Sequence, residues 1–362
     1  MNAYFPEIKK NFGFGTMRLP MAGEDADIPL TTAMVDAFLA SGFNYFDTAH
    51  PYIQGKSELA LRACLTSRYP RDRYVLANKL SAGCVEKEED ILPFFQSQLE
   101  ACGVEYFDFY LMHAVSAKQD AKFTSINAYA HARQLKAQGK VRHLGFSFHD
   151  SAAFLDRFLT EHPEMEFVQI QFNYVDYEDP RIESRKCYEV CRKHGKPVLI
   201  MEPVKGGSLV NLPQEALELL DDSPASYAIR FAAGFEGVVM VLSGMSDMAQ
   251  MMDNLSFMSA FVPLNDREHR TIDRVRTLYQ AQNRIPCTAC RYCTDGCPAG
   301  IPIPEVFALL NQKHAGEGQP DQDYAALPIQ ADACIGCGQC EAQCPQHLHI
   351  RQLLKEVAKA FA

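Results

Sequence analysis

The feature that most constrains the fold is the alternation of short apolar runs of β type with helix-type segments before Cys287. Such alternation is typical of a parallel sheet built from strand–helix units, and near-continuous apolar strands are typical of a sheet covered on both faces. Segments such as TTAMVDAFLASG and NAYAHARQLKAQGK separate eight strand-type runs, which read NFGFGTM, FNYFDT, YVLANKL, FDFYLMH, VRHLGFS, FVQIQFN, PVLIMEP and VVMVLSG. We therefore predict an α/β fold, a (β/α)8 TIM barrel. An open doubly wound sheet is the alternative, and it is disfavoured because no G-x-G-x-x-G follows the first strand.

Cysteine is concentrated after this region. Two runs, CTACRYCTDGCP from Cys287 and CIGCGQCEAQCP from Cys334, each have the spacing C-x2-C-x2-C-x3-C-P. This is the spacing of thiolates around iron–sulfur clusters. Zinc sites usually combine C-x-x-C pairs at wider spacing, and a disulfide framework needs an oxidising compartment. We therefore predict two 4Fe-4S clusters.

Composition limits the partners and the location. The net charge is −10 and no run of basic residues occurs, so nucleic acid and anionic membranes are poor partners. The beginning of the chain shows no apolar run of signal-peptide length, and no stretch approaches the roughly 20 apolar residues of a membrane span. We expect a cytoplasmic protein that acts on small molecules.

In a TIM barrel, functional residues lie where the strands end at the C-terminal face. At the ends of three successive predicted strands lie Asp47 and Tyr52, then Lys79, then His113. Taken singly, each has a structural explanation: a helix cap, a loop tyrosine, a solvated lysine and a hydrogen-bonded histidine. Their order on three successive strands is what indicates a catalytic set.

Together these four residues resemble the catalytic tetrad of the aldo-keto reductase family, and the resemblance covers roughly residues 8–260. The family is a (β/α)8 barrel that transfers a hydride between a nicotinamide cofactor and a carbonyl or alcohol. The resemblance implies that Tyr52 donates the proton to the carbonyl oxygen and that His113 orients the carbonyl. Lys79, salt-bridged to Asp47, would lower the pKa of Tyr52, since a nearby cation favours phenolate.

The same resemblance implies sites for the cofactor NAD or NADP. Ser147 and Gln171 match positions that bind the nicotinamide carboxamide, although Phe148 replaces the asparagine that the family often has there. Met201 stands where many members place an aromatic residue that stacks on the nicotinamide. A loop resembling the one that covers the pyrophosphate follows, with Pro203, Lys205, Gly206 and Gly207.

The last strand and the turn after it match the family's adenosine-phosphate segment. Its residues are Ser243, Gly244, Met245, Asp247, Gln250 and Asn254. Members that prefer NADP place a Lys and an Arg here to pair with the 2′-phosphate. This segment has neither, and Gln250 occupies the Arg position, so NADH is as open a choice as NADPH.

Residues 287–345 resemble two-cluster ferredoxins, in which the fourth cysteine of each run ligates the other cluster. One cluster would then be held by Cys287, Cys290, Cys293 and Cys344, and the other by Cys334, Cys337, Cys340 and Cys297. The helix-type segments IPEVFALLNQKHAG and IRQLLKEVAKAFA indicate a small, mainly helical ferredoxin-like domain. We predict a barrel over 1–262, a helical junction over 263–286 and the ferredoxin-like domain over 287–362.

Three functions are compatible with this organisation. The first is an aldo-keto reductase-like oxidoreductase that acts on a small-molecule carbonyl or alcohol and whose clusters transfer electrons to or from a redox partner protein. The second is the same reductase with structural or oxygen-sensing clusters. The third is a non-enzymatic, redox-sensing regulator on a reductase barrel, which the intact tetrad disfavours. A hydride carries two electrons while each cluster passes one, and no flavin motif is evident.

Overall fold

The computed structural model of this 362-residue chain describes residues 4–362. The chain forms two compact units. The barrel unit comprises the residues up to Asp179, Glu183–Pro203 and Ala225–Glu268, and the cysteine-rich unit comprises Pro180–Ile182, Val204–Pro224 and His269–Ala362.

The barrel unit contains a closed barrel of eight parallel strands in the order β1-β10-β9-β8-β7-β6-β5-β4. A short antiparallel ribbon, β2–β3, lies outside this barrel sheet. The predicted barrel fold is therefore confirmed. The strands are β1 (Phe12–Gly15), β2 (Met21–Ala22), β3 (Asp25–Ala26), β4 (Tyr45–Asp47), β5 (Val75–Leu80), β6 (Phe107–Val115), β7 (Val141–Phe148), β8 (Phe167–Gln171), β9 (Val198–Met201) and β10 (Val238–Gly244).

Helices follow the barrel strands and are the main regular elements of the cysteine-rich unit. In chain order they are α1 (Ile28–Ala40), α2 (Lys56–Leu61), α3 (Ile91–Cys102), α4 (Ala117–Ser125), α5 (Ala128–Ala137), α6 (Ala152–Glu161), α7 (Ser184–Lys193), α8 (Gln214–Leu217), α9 (Pro224–Ala233), α10 (Met248–Met258), α11 (Asp266–Ala281), α12 (Tyr292–Asp295), α13 (Ile303–Ala315), α14 (Pro320–Ala325), α15 (Gln339–Gln343) and α16 (Ile350–Ala360).

The alternation of side chains along each strand places the tetrad. Residues two apart on a strand share a face, and Tyr45, Ala77 and Leu111 belong to one buried apolar cluster. Two residues after each of these come Asp47, Lys79 and His113, which therefore lie on the same face of their strands. Because the strands are parallel, these positions fall at the C-terminal end of the barrel.

The cysteine-rich unit has an apolar core of its own, in which α13 contributes Val306 and Phe307 and α16 contributes Leu354 and Val357. No strand occurs among the described residues of this unit, so the prediction of a mainly helical C-terminal region is confirmed. Within residues 4–362, no helix has the combination of length and apolar character needed to cross a bilayer. The boundaries given above for the barrel, the junction and the ferredoxin-like domain remain a prediction.

Candidate functional site

The centre of the candidate active site is a buried ion pair. Lys79 Nζ lies 2.6 Å from Asp47 Oδ1 and also donates a hydrogen bond to the carbonyl oxygen of Thr48 at 2.8 Å. The lysine and the aspartate are 0% and 3% exposed. Burial lowers the pKa of Lys79 and raises that of Asp47, and the attraction between the two charges opposes both shifts. Such a pair contributes little net stability, so its presence is better explained by function.

Tyr52 and His113 surround this lysine. Lys79 Nζ lies 4.7 Å from the centre of the Tyr52 ring, and the rings of Tyr52 and His113 meet edge to face with centroids 6.1 Å apart. Tyr52 begins a tight turn in which Ile53 and Gln54 have positive φ angles of 50° and 54°. Non-glycine residues in this conformation are strained, and such strain clusters at functional sites. The structure thus brings all four predicted catalytic residues together.

His113 is held as a neutral imidazole. Burial, and then the positive charge of Lys79, lowers its pKa well below the usual value. Its Nδ1 forms a 2.6 Å hydrogen bond with the hydroxyl of Ser81, a residue that our sequence analysis did not identify. If the Ser81 hydroxyl is the donor, the imidazole proton resides on Nε2. A neutral imidazole N–H can polarise a carbonyl without giving up its proton.

The backbone of Lys79 is fixed by a polar network that our sequence analysis also missed. The Lys79 amide donates to Asn78 Oδ1 at 2.8 Å, and Gln98 Nε2 donates to the Lys79 carbonyl oxygen at 3.0 Å. The fully buried carboxylate of Glu58 accepts from Asn78 Nδ2 at 2.8 Å, and the Tyr110 hydroxyl donates to Gln98 Oε1 at 2.7 Å. These side chains come from separate elements, so no local motif marks them.

Two residues predicted to bind the carboxamide already have protein partners. Ser147 Oγ accepts a 2.8 Å hydrogen bond from the amide of Ala114, whose φ of 56° belongs to the irregular end of β6 after His113. Gln171 Nε2 donates to the buried carboxylate of Asp176 at 2.6 Å. These contacts fix both side chains at the ends of β7 and β8.

Met201 lies at the end of β9, and Pro203 follows two residues later. Gln169 Nε2 donates a hydrogen bond to the Met201 sulfur at 3.5 Å. Gln169 shares a strand face with Gln171, and its buried Oε1 accepts no hydrogen bond within residues 4–362. An unpartnered buried acceptor on the strand face that also carries Gln171 fits a ligand with an N–H donor, such as a carboxamide.

The adenosine-phosphate segment is also internally bonded. Asn254 Nδ2 donates to Ser243 Oγ at 2.9 Å, and both residues are buried. Asp247 caps α10 by accepting from the Gln250 amide at 2.8 Å, and Gln250 Nε2 donates back to Asp247 at 2.9 Å. Gly244 ends β10, immediately before the buried Met245. The capped start of α10 offers backbone N–H groups, which suit an anion.

The predicted pyrophosphate loop belongs to the cysteine-rich unit. Lys205–Gly207 forms a 3-10 turn, with Lys205 buried and both glycines in the left-handed region. We call residues 204–210 the cofactor loop, because two of its glycines are predicted to cover the cofactor.

The eight cysteines of the two runs surround two separate cavities. We call them the first and second cluster sites, lined respectively by Cys287, Cys290, Cys293 and Cys344, and by Cys297, Cys334, Cys337 and Cys340. Each set contains three cysteines of one run and the last cysteine of the other.

The residues that line these cavities are of the kind that holds an iron–sulfur cluster. Four thiols, without histidine or carboxylate, line each of them together with apolar side chains such as Ile303. No three His, Cys, Asp or Glu side chains within residues 4–362 converge as the ligands of one ion do. None of the thirteen cysteines forms a disulfide bond.

The fold and the buried lysine at the barrel end define a TIM-barrel oxidoreductase of the aldo-keto reductase type. A model of the aldo/keto reductase family matches residues 11–277, which is most of the chain, so this protein belongs to that family and is an oxidoreductase enzyme. A model of a 4Fe-4S dicluster domain matches residues 286–349. Both resemblances drawn from the sequence are thereby confirmed.

Individual proteins agree with this assignment. An aldo-keto reductase of Mycolicibacterium vanbaalenii is 26% identical over 223 residues, which cover 60% of this chain and 74% of that protein. Subunit alpha 1 of the acetyl-CoA decarbonylase/synthase complex of Methanosarcina barkeri is 34% identical over 75 residues, covering 21% of this chain and 8% of that subunit. The structure of a Klebsiella pneumoniae aldo/keto reductase with NADP and acetate has a TM-score of 0.60 at 18% identity, covering 74% of this chain and 91% of that one.

Proposed function

We propose that this enzyme reduces a small-molecule carbonyl, or oxidises the corresponding alcohol, with NADH or NADPH. We further propose that its dicluster domain holds two 4Fe-4S clusters that exchange electrons with a redox partner protein. The observation that carries the first part is the buried Lys79–Asp47 ion pair beneath the Tyr52 ring, with His113 beside it.

The proposed chemistry follows from these side chains. The nicotinamide, when bound, supplies or accepts the hydride. Tyr52 donates its hydroxyl proton to the carbonyl oxygen as negative charge develops there. Lys79 stabilises the phenolate that remains, because a cation close to the ring favours the ionised form. His113, which is neutral because of burial, donates a hydrogen bond that orients the carbonyl oxygen.

The assignment of the cofactor residues is supported by the positions of Gln171, Met201 and Gly244 at the ends of their strands. We propose that Ser147, Gln171 and Met201 hold the nicotinamide, and that Pro203, Gly206 and Gly207 cover the pyrophosphate. The adenosine end would contact Ser243, Gly244, Asp247, Gln250 and Asn254.

The proposal of electron exchange is supported by the exposure of the second cluster site. Cys337 is exposed, and Ile335, between two cysteines of this site, is 71% exposed. Cluster ligands close to the surface favour transfer to another protein. Because a hydride carries two electrons and each cluster passes one, exchange with the barrel needs a group that handles both, for which a flavin is the usual choice.

The test is Tyr52→Phe in the anaerobically purified protein, assayed with a panel of aldehydes and ketones. We expect turnover to fall by at least about a hundredfold, the usual contribution of a general acid, while nicotinamide binding persists. Tyr45→Phe is the matched control, because the buried Tyr45 hydroxyl has no hydrogen-bond partner within residues 4–362. Equal turnover in wild type and Tyr52→Phe would remove Tyr52 from its proposed role.

A further inference from the structure

The cofactor loop lies directly against a ligand loop of the first cluster site. A Cβ atom placed on Gly206 would be 2.5 Å from the carbonyl oxygen of Thr288 and 2.7 Å from its Cα. Thr288 stands between the ligands Cys287 and Cys290 and is only 2% exposed. Gly206 also has a φ of 63°, so this position requires glycine both for its conformation and for the close approach of the Thr288 backbone.

A second contact anchors the same loop. The Ser208 hydroxyl donates to the Lys205 carbonyl oxygen at 2.8 Å, and it lies 3.1 Å from the hydroxyl of Tyr279 on α11. Leu209, the next residue, is fully buried. The loop is therefore held by residues of the cysteine-rich unit, although it begins three residues after the end of β9.

The corresponding position of the other cysteine run has no such role. Thr288 follows the first cysteine of its run, and Ile335 follows the first cysteine of the second run. Ile335 is exposed, whereas Thr288 is buried under Gly206. Among the described residues, the two runs thus differ at this position: the ligand loop of the first lies against the cofactor loop, whereas that of the second is exposed.

We propose that the first cluster controls the binding of the nicotinamide cofactor, an inference that rests on the proposed function. With the cluster in place, the Cys287–Cys290 loop is rigid and holds the cofactor loop in its docked conformation. When the cluster is lost, as iron–sulfur clusters are on oxidation, the ligand loop relaxes and the cofactor loop must be ordered at the moment of binding. Binding weakens because part of the interaction energy is spent on that ordering.

The test compares two double variants of the full-length protein after anaerobic reconstitution. Cys287→Ser/Cys290→Ser removes the first cluster, and Cys334→Ser/Cys337→Ser removes the second by the equivalent substitutions. The dissociation constants of NADH and NADPH are measured from the fluorescence of the reduced cofactors. We expect the first variant to bind at least tenfold more weakly than wild type, which corresponds to about 1.4 kcal/mol, and the second to stay within twofold.

Equal weakening in both variants, or none in the first, would overturn the proposal. If the wild-type protein itself bound no nicotinamide cofactor, the proposed function would fail instead, so the two failures are distinguishable.

Linkage gives a second readout that needs no substitution. If the cluster strengthens cofactor binding, the cofactor must strengthen retention of the cluster. We therefore expect NADPH to slow the loss of iron from the first site to a chelator, while the second site is unaffected.

A third readout applies if the cysteine variants fail to fold. Gly206→Ala forces a contact with Thr288, whereas a Cβ at Gly207 would meet no atom within 4 Å although its φ is also positive. We expect Gly206→Ala to change the electron paramagnetic resonance spectrum of one reduced cluster, and Gly207→Ala to leave both spectra unchanged. Identical cluster spectra in the two variants would contradict the proposed contact.

Discussion

Removing the charge of Lys79 should destabilise the barrel severely. In Lys79→Met, Asp47 stays buried without its cation, and its Oδ2 already accepts no hydrogen bond within residues 4–362. The Thr48 carbonyl oxygen loses a donor as well. Breaking a buried ion pair from one side usually costs about 3–5 kcal/mol, and the near-complete burial of both residues places this site at the upper end. The free energy of unfolding would be measured by denaturant titration followed by circular dichroism, because the chain has no tryptophan.

A double-mutant cycle separates the ion pair from other effects of the substitution. Asp47→Val alone should be as costly as Lys79→Met, because it leaves a buried ammonium group. The double variant Asp47→Val/Lys79→Met should recover most of the loss, since apolar replacement of a buried pair is often neutral. The pair is then coupled by roughly 3 kcal/mol or more, while every variant in the cycle lacks carbonyl reduction.

The matched control is Lys56→Met. Lys56 Nζ lies 2.8 Å from Asp25, whose side chain is 78% exposed, so solvent screens this pair and its loss should change stability little. The reasoning would be refuted if the two single substitutions at Asp47 and Lys79 were additive, or if Lys79→Met were no more costly than Lys56→Met. Either result would mean that the buried pair is not coupled.

Two further predictions concern the cofactor and pH. NADH should bind within about tenfold of NADPH, because the adenosine-phosphate segment offers no Lys or Arg to the 2′-phosphate. Gln250 pairs with Asp247 there, and Arg18 is paired with Glu202 at 3.7 Å. A charge-assisted contact to a 2′-phosphate would be worth ~1.5–3 kcal/mol. Titration of both cofactors tests this, and a hundredfold preference for NADPH would contradict it. Barrel stability should fall as the pH rises through about 9. Burial lowers the pKa of His143, but its hydrogen bonds to Glu166 and Glu7 outweigh burial and raise that pKa to about 9. The protonated His143 therefore stabilises the fold fully at pH values below the pKa of histidine in the unfolded chain, and deprotonation removes at most roughly 3 kcal/mol of stability. His143→Gln should flatten this dependence, and an unchanged slope in the variant would exclude His143 as its origin.

The parts of the structure that follow local patterns could be predicted from the sequence. The β-type runs predicted the positions of the strands, because a buried parallel strand is apolar along its whole length. The ends of the predicted strands then indicated Asp47, Lys79 and His113. The cysteine spacing predicted which cysteines line each cavity, because the fourth cysteine of a run, one residue farther on, points away from the other three.

Contacts between distant residues could not be predicted. Ser81 bonds His113, and Gln98 bonds the Lys79 carbonyl, from elements whose separation along the chain leaves no periodic signal. The hydrogen bond from the Ala114 amide to Ser147 depends on the irregular end of β6, which could not be predicted from the run FDFYLMH. The close approach of Gly206 to the Thr288 backbone could not be predicted either, because the sequence there reads only as a glycine turn.

The eight cysteines of the two runs are central to the proposed function, because they are proposed to hold two four-iron clusters. Iron and acid-labile sulfide should be measured per chain in anaerobically purified protein expressed with adequate iron. We predict about eight of each, as two 4Fe-4S clusters require. Stoichiometric zinc without sulfide would contradict the account, as would four iron and four sulfide per chain after full reconstitution.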